Sequence, residues 1–191
     1  MPDPLIRYFA FLRAINVGGH TVRMEDLRKL CERLGLLKVE TFIASGNLIF
    51  ESDSREPGLL EKLMEKQFEK AFGYPVATFI RNQSELAAVA AYQAFPQARL
   101  DEAQALNIAF LSKSLNEQEK QKLLALKTEI DDFHVTQQEI YWICKKKQSE
   151  SKFSNAVLEK TLGQKTTLRG ILTIRKMTAK YAGSLNQKEL N

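Results

Sequence analysis

Cysteine, histidine and tryptophan are the scarcest residues in this chain of 191: there are two, two and one. Cys31 and Cys144 form no Cys-x-x-Cys pair, and His20 and His134 stand alone. A zinc-type cluster and a disulfide scaffold are therefore excluded, and no metal site is assigned. Cys31 falls on the apolar side of an expected helix and Cys144 in an expected strand. Both read as reduced, buried thiols of a cytoplasmic protein. No run approaches the ~20 apolar residues a membrane helix needs, so no membrane partner is expected. Met1 to Leu5 holds Asp3 and two prolines and lacks the apolar core of a secretory signal.

Strong charge of one sign is also missing. Lys plus Arg is 28 and Asp plus Glu is 23, a net +5. That permits an anionic partner but does not require one. Hydrophobic residues at 44% and charged residues at 27% describe a globular chain. At this length roughly 70% of the unfolded surface can be buried, so neither disulfide nor metal is needed to fold.

What is present is a pattern that occurs twice. Leu5 to Leu12 is a short apolar run rich in aromatics, hence a strand. Leu27, Leu30, Cys31 and Leu34 make one helix face, with Gly35 after it. Val39 to Ser45 and Leu48 to Glu51 read as strands joined by a two-residue Gly46-Asn47 turn. Pro57 opens a helix along Leu60, Leu63, Met64, Phe68 and Ala71, and Gly73 closes it. Val76 to Arg81 is a strand, and Asn82 with Glu85 begins a further helix. After QAFPQARLDEAQ (93–104), the order returns. Leu106 to Leu111 is a strand, and Ser114 with Glu117 caps a helix. Phe133 to Thr136 and Ile140 to Cys144 flank Gln137-Gln138, Phe153 to Thr161 is a helix, Thr166 to Leu168 is a strand and Ile171 to Tyr181 is a helix. The expected fold is α+β: a tandem duplication of a ferredoxin-like β-α-β-β-α-β unit, each copy followed by an extra helix. Its parts are 1–92, a connector over 93–104, and 105–191.

This order places two segments together. In such a unit the first and second strands run parallel, with the third antiparallel between them. The loop leaving strand one and the hairpin joining strands two and three thus share one end of the sheet. In the first repeat these are Arg13 to His20 and Ser45 to Asn47, the least ordinary stretches of the chain. Their counterparts, Ser112 to Ser114 and Gln137-Gln138, have neither glycine nor arginine. A site is therefore expected on the first repeat.

FLRAINVGG (Phe11 to Gly19), LGLLKVETFIASGNLIFES (Leu34 to Ser52) and TLRGILTIRKM (Thr167 to Met177) resemble, in order, three segments of the family known as domain of unknown function 1697. The chain departs from that pattern where Ala14 stands for a glycine and Gly170-Ile171 for an Asn-Trp pair, while Arg169 and Thr173 match. The resemblance implies the fold and the location of a site and assigns no activity, reaction or cofactor.

Arg13, Asn16, Gly18 and Gly19 have the composition of an anion site. Glycine lets backbone N–H groups approach a ligand, the next helix start carries partial positive charge, and an arginine forms paired bonds to phosphate or carboxylate. Ser45 and Asn47 add polar contacts from the hairpin, and Arg169 and Thr173 would complete the site from another helix start. The competing reading is scaffolding, with Asn16 satisfying backbone groups and Arg13 tying the loop down. The motif is neither a Walker loop nor a Rossmann glycine pattern. His20 as a base and Ser45 as a nucleophile lack a third orienting group, so no catalytic residue is assigned. Asp131-Asp132 reads as a strand start. Nucleic acid is the rival partner, because Phe9, Phe11 and Phe50 lie on strands that carry stacking aromatics in RNA-recognition modules. However, SGNLIFES is not the element those modules use, and Lys145-Lys146-Lys147 is a short basic run. A third alternative is an interaction module with no small ligand.

Overall fold

The structure, a computed structural model, describes residues 4–16, 19–43 and 46–181. The chain divides into two compact units, Met1–Ala87 and Ala88–Asn191. In chain order the first contains β1 (Ile6–Leu12), α1 (Met24–Arg33), β2 (Leu37–Thr41), β3 (Asn47–Ser52), α2 (Pro57–Phe72) and β4 (Thr78–Asn82). Helix α3 (Gln83–Ala91) leads into the second unit, which holds α4 (Gln97–Asp101), β5 (Ala105–Leu111), α5 (Glu117–Leu124), β6 (Asp131–Val135), β7 (Glu139–Cys144), α6 (Asn155–Leu162), β8 (Thr166–Gly170) and α7 (Ile171–Tyr181). The sheets are ordered β2-β3-β1-β4 and β6-β7-β5-β8, with every neighbouring pair antiparallel. This is the duplicated ferredoxin-like order, with α3 and α7 as the trailing helices.

Strand β1 is apolar on both sides because both faces of the first sheet are buried. Tyr8, Ala10 and Leu12 join Leu48, Phe50 and Ile80 against the apolar seams of α1 (Leu27, Leu30, Cys31) and α2 (Leu60, Met64, Phe68). Phe9, Phe11, Ile49 and Phe79 take the opposite face and are also buried. Each such side chain contributes about 1.5–3 kcal/mol on leaving water. Because Phe9, Phe11 and Phe50 are all fully buried, they present no platform on which a base could stack.

Strand β4 has a free edge, and α2 covers it. Glu61 accepts the Ile80 N–H at 2.7 Å and Glu65 accepts the Thr78 N–H at 2.8 Å. The second unit repeats the device, with Glu159 accepting the Thr166 N–H at 2.9 Å. Capping those backbone donors removes the template that an open edge offers to another strand. The repeats share register too: Leu12 faces Thr78 as Leu111 faces Thr166.

Several local expectations hold, and others move. Asn82 accepts the Glu85 N–H at 2.9 Å and Glu85 accepts the Asn82 N–H at 2.8 Å, the reciprocal cap read for α3. The cap of α5 is instead Asn116 with Glu119, two residues beyond Ser114 and Glu117. Both pairs fit the same spacing, and the one adjoining the hydrogen-bonded turns is used. The Gly46-Asn47 turn is also displaced. Asn47 is the first residue of β3, and its carbonyl accepts the Phe42 N–H at 3.0 Å, so Asn47 belongs to the ladder and not to a two-residue turn. The segment 93–104 holds α4.

Candidate functional site

Three connections meet where β1 ends. Leu12 N–H donates to Gly46 O at 2.7 Å, and the next residue, Arg13, donates its N–H to Ala77 O at 2.8 Å. One dipeptide therefore fastens the β1–α1 loop to the β2–β3 hairpin on one side and to the α2–β4 connection on the other. Tyr74, from that last connection, reaches over and donates its hydroxyl to Ile15 O at 2.6 Å. Its ring stacks on His20 at a centroid distance of 4.0 Å. Burial raises the Tyr74 phenol above its ordinary value, so it stays a donor at neutral pH.

The loop is held internally by Asn16. Its Oδ1 accepts the Val22 N–H at 2.7 Å and its amide donates to Val22 O at 3.5 Å. Asn47 is buried at the base of the hairpin and donates to Phe42 O at 3.1 Å. Both asparagines thus satisfy backbone groups. Arg13 is half-buried, and Gly19 and His20 are exposed. Gly18 and Ser45 lie outside the described residues.

Of the three described non-glycine residues at positive φ, two lie here, while the third, Lys38 at 49°, is near the start of β2. Ala14 and Ile43 both have φ of 61°, a left-handed conformation that side chains resist and that a β-branched residue resists most. Gly19 and Gly46, at φ 86° and 98°, adopt it freely. Ala14 stands where the family pattern has glycine, which was the one available signal of this strain. Nothing in the sequence marked Ile43 or Tyr74. The corresponding end of the second unit is relaxed. There Leu111 N–H bonds Gln138 O at 2.9 Å, and Gln138 donates its side-chain amide to Ser112 O at 3.4 Å. Among the described residues, none over 112–116 or 136–139 has a positive φ.

Beside the loop a cavity of about 370 Å³ opens between α1 and α2, lined by Thr21, Val22, Lys29, Arg33 and Phe72 among others. Arg169 and Thr173 belong to the second unit. Arg169, on β8 opposite Ile108, donates to Thr167 Oγ1 and to Leu168 O, both at 2.8 Å. Burial brings its guanidinium down to about 10. Thr173 lies in the first turn of α7 and is half-buried. Asp131 and Asp132 open β6 and serve different partners. Asp131 accepts from Trp142 Nε1 at 2.8 Å and from Ser151 Oγ at 2.9 Å, whereas Asp132 pairs with Arg99 and, at 3.0 Å, with Lys127. Among the described residues no group of three or more His, Cys, Asp or Glu is placed to hold a metal ion. Nor is any described helix long and apolar enough to cross a membrane.

Among solved structures the fold is similar to the conserved bacterial protein SP0830 from Streptococcus pneumoniae. That similarity has a TM-score of 0.74 and 26% sequence identity and covers 92% of this chain and 98% of the other. No curated protein matches the chain. The family described as "Protein of unknown function (DUF1697)" matches residues 5–141, which include the strained loop, the hairpin and the strands that carry them. This chain belongs to that family.

Proposed function

We propose that the protein binds a small anionic, phosphate-bearing ligand at the end of the first sheet, where the loop from Arg13 to Gly19 meets the Ser45–Asn47 end of the hairpin. The observation that carries the reading is the pairing of Ala14 and Ile43 in left-handed backbone at one sheet end, with no counterpart among the described residues of the second repeat. Such strain costs of order 1–3 kcal/mol per residue and persists where a particular backbone geometry is needed. Gly19, ahead of α1, is exposed. Arg13 supplies a charged, forked donor, and the adjoining cavity is lined by Lys29, which pairs with Glu25, by Arg33 and by the carboxylate Asp26. Asn16 and Asn47 act by fixing the loop and the hairpin.

Thermal unfolding with a panel of probes tests this reading: pyrophosphate, nucleoside monophosphates and sugar phosphates, against sulfate and a generic oligonucleotide. One phosphorylated probe should raise the melting temperature saturably, as mass action requires. Stabilisation by the oligonucleotide alone, with log affinity falling linearly against log salt, would favour the nucleic-acid reading instead. Stabilisation by no probe would favour an interaction module.

A further inference from the structure

Four rings run in file from the core of the first unit to its surface. Phe68 is fully buried, Phe72 and Tyr74 are half-buried, and His20 is exposed. Successive ring centroids lie 5.7, 6.2 and 4.0 Å apart. The last step is a stack, with the His20 and Tyr74 planes 27° apart. Tyr74 covers one face of the imidazole, and the exposure of His20 leaves the other face open. The file adjoins the cavity between α1 and α2, because Phe72 belongs to both and His20 precedes Thr21 of the cavity wall. It also adjoins Arg13, since Tyr74 bonds the Ile15 carbonyl two residues further on. The rings therefore link the proposed phosphate end to the cavity.

The cavity itself suits an uncharged group better than a second phosphate. Its charged lining residues are Asp26, Lys29 and Arg33. Asp26 is engaged by Arg23 at 2.8 Å and Lys29 by Glu25 at 2.6 Å. A carboxylate in the wall repels phosphate, whereas mixed donors and acceptors beside Val22, Leu30 and Phe72 fit a partly apolar group that has donors and acceptors of its own. At about 370 Å³ the space is of the size that small-ligand sites have. The second unit shows that rings are not needed to close these loops. There α6 ends at Gly163 in left-handed backbone, as α2 ends at Gly73. The next residue is Gln164 in place of Tyr74, and its Oε1 accepts from Ser112 Oγ at 3.5 Å. A side-chain amide thus joins the loop after β5 to the connection after α6. What Tyr74 and His20 add in the first unit is a flat face at the surface.

We infer that the anionic ligand is a nucleoside monophosphate, its base stacked on His20 and reaching into the cavity beside Phe72 while its phosphate lies towards Arg13. This rests on the phosphate reading of the Arg13–Gly19 loop. Every base has a π-face, so a stack on an aromatic side chain selects the class of ligand and not the particular base. A sugar phosphate carries the same charge and has no ring to set against the file.

Calorimetric titration of the full chain with the monophosphates of adenosine, guanosine, cytidine and uridine, and with ribose phosphate and pyrophosphate, tests the inference. At least one nucleotide should bind roughly tenfold more tightly than ribose phosphate, the lower part of what one stacked base contributes. That nucleotide should also move the His20 ring-proton signals upfield saturably. His20→Ala, at an exposed position, should bring it down to the affinity of ribose phosphate and leave ribose phosphate binding as it was. His20→Tyr, which restores a flat ring, should recover the preference. If ribose phosphate binds as tightly as every nucleotide, or if pyrophosphate alone binds, the nucleotide is overturned and the phosphate reading stands. Binding by none of the six overturns both. A nucleotide preference that survives His20→Ala overturns the placement of the base.

Discussion

The Tyr74 hydroxyl donates to the Ile15 carbonyl at 2.6 Å, joining two loops 59 residues apart in sequence. That bond, together with the stack on His20, fixes the loop after β1 without any contribution from regular secondary structure. Tyr74→Phe keeps the ring and removes the bond. The expected cost is about 0.5–1.5 kcal/mol of stability. Amide exchange should quicken at residues 14–16 and 20–22 while β1 itself stays protected, because the loss is local. Unchanged exchange in those residues would show that the loop is held by other means.

Ile43 is 65% exposed and held at a positive φ, so its side chain adds little burial in exchange for the strain. Ile43→Gly should therefore stabilise the protein, by about 1 kcal/mol in denaturant unfolding. Ala14→Gly should act in the same direction with a smaller gain. If the strain serves binding, both variants should bind phosphorylated probes more weakly than wild type, since the backbone is then free to leave the required geometry. A destabilised Ile43→Gly protein would mean that the side chain is held by packing.

Acid should weaken the fold through Asp132 and Glu51. Burial pushes the Asp132 carboxyl up, but bonds from Lys127, Arg99 and the Phe133 N–H more than offset it, and the group ends below its ordinary value. Glu51 is lowered in the same way, with Lys38 and Arg7 opposing burial. The unfolded chain then takes up these protons first. The stability they contribute is present above the unfolded values and is lost as pH falls through the folded ones. Glu61 runs the other way: burial raises it, so its contribution is present at low pH and lost as pH rises through its folded value. Melting temperature should fall below about pH 4. In Asp132→Asn that acid limb should be shallower. An identical limb in the variant would count against these pairs.

The two thiols should be silent in the native protein. Cys31 and Cys144 are both fully buried, and burial pushes the Cys31 thiol up to about 12 and raises Cys144 as well. A thiol reagent should titrate neither within minutes at neutral pH and both after unfolding. Rapid modification of either in the folded state would reveal an opening motion that reaches the core.

The element order and its repetition were legible because each strand and helix face carries its own period. The seams Leu27, Leu30, Cys31 and Leu60, Met64, Phe68 could be read directly from spacing. Turns were read less well because several neighbouring residues satisfy the same chemistry. Gly46-Asn47 suits a two-residue turn, yet Asn47 is drawn into β3 by pairing with Phe11. The place where the loop and hairpin meet followed from topology. What holds them there did not, because it depends on Tyr74, a single side chain from a distant connection.

The central claim rests on Arg13, and calorimetric titration of wild type and Arg13→Ala with pyrophosphate tests it most directly. Arg13 is half-buried at the end of β1. A ligand-facing guanidinium should be removable at a stability cost of about 0–1 kcal/mol. Binding heat in the wild type and none in a variant that melts within a few degrees of it is the predicted result. A variant that binds pyrophosphate as the wild type does, or a wild type with no heat beside a variant destabilised by about 1–3 kcal/mol, would show Arg13 to be scaffolding.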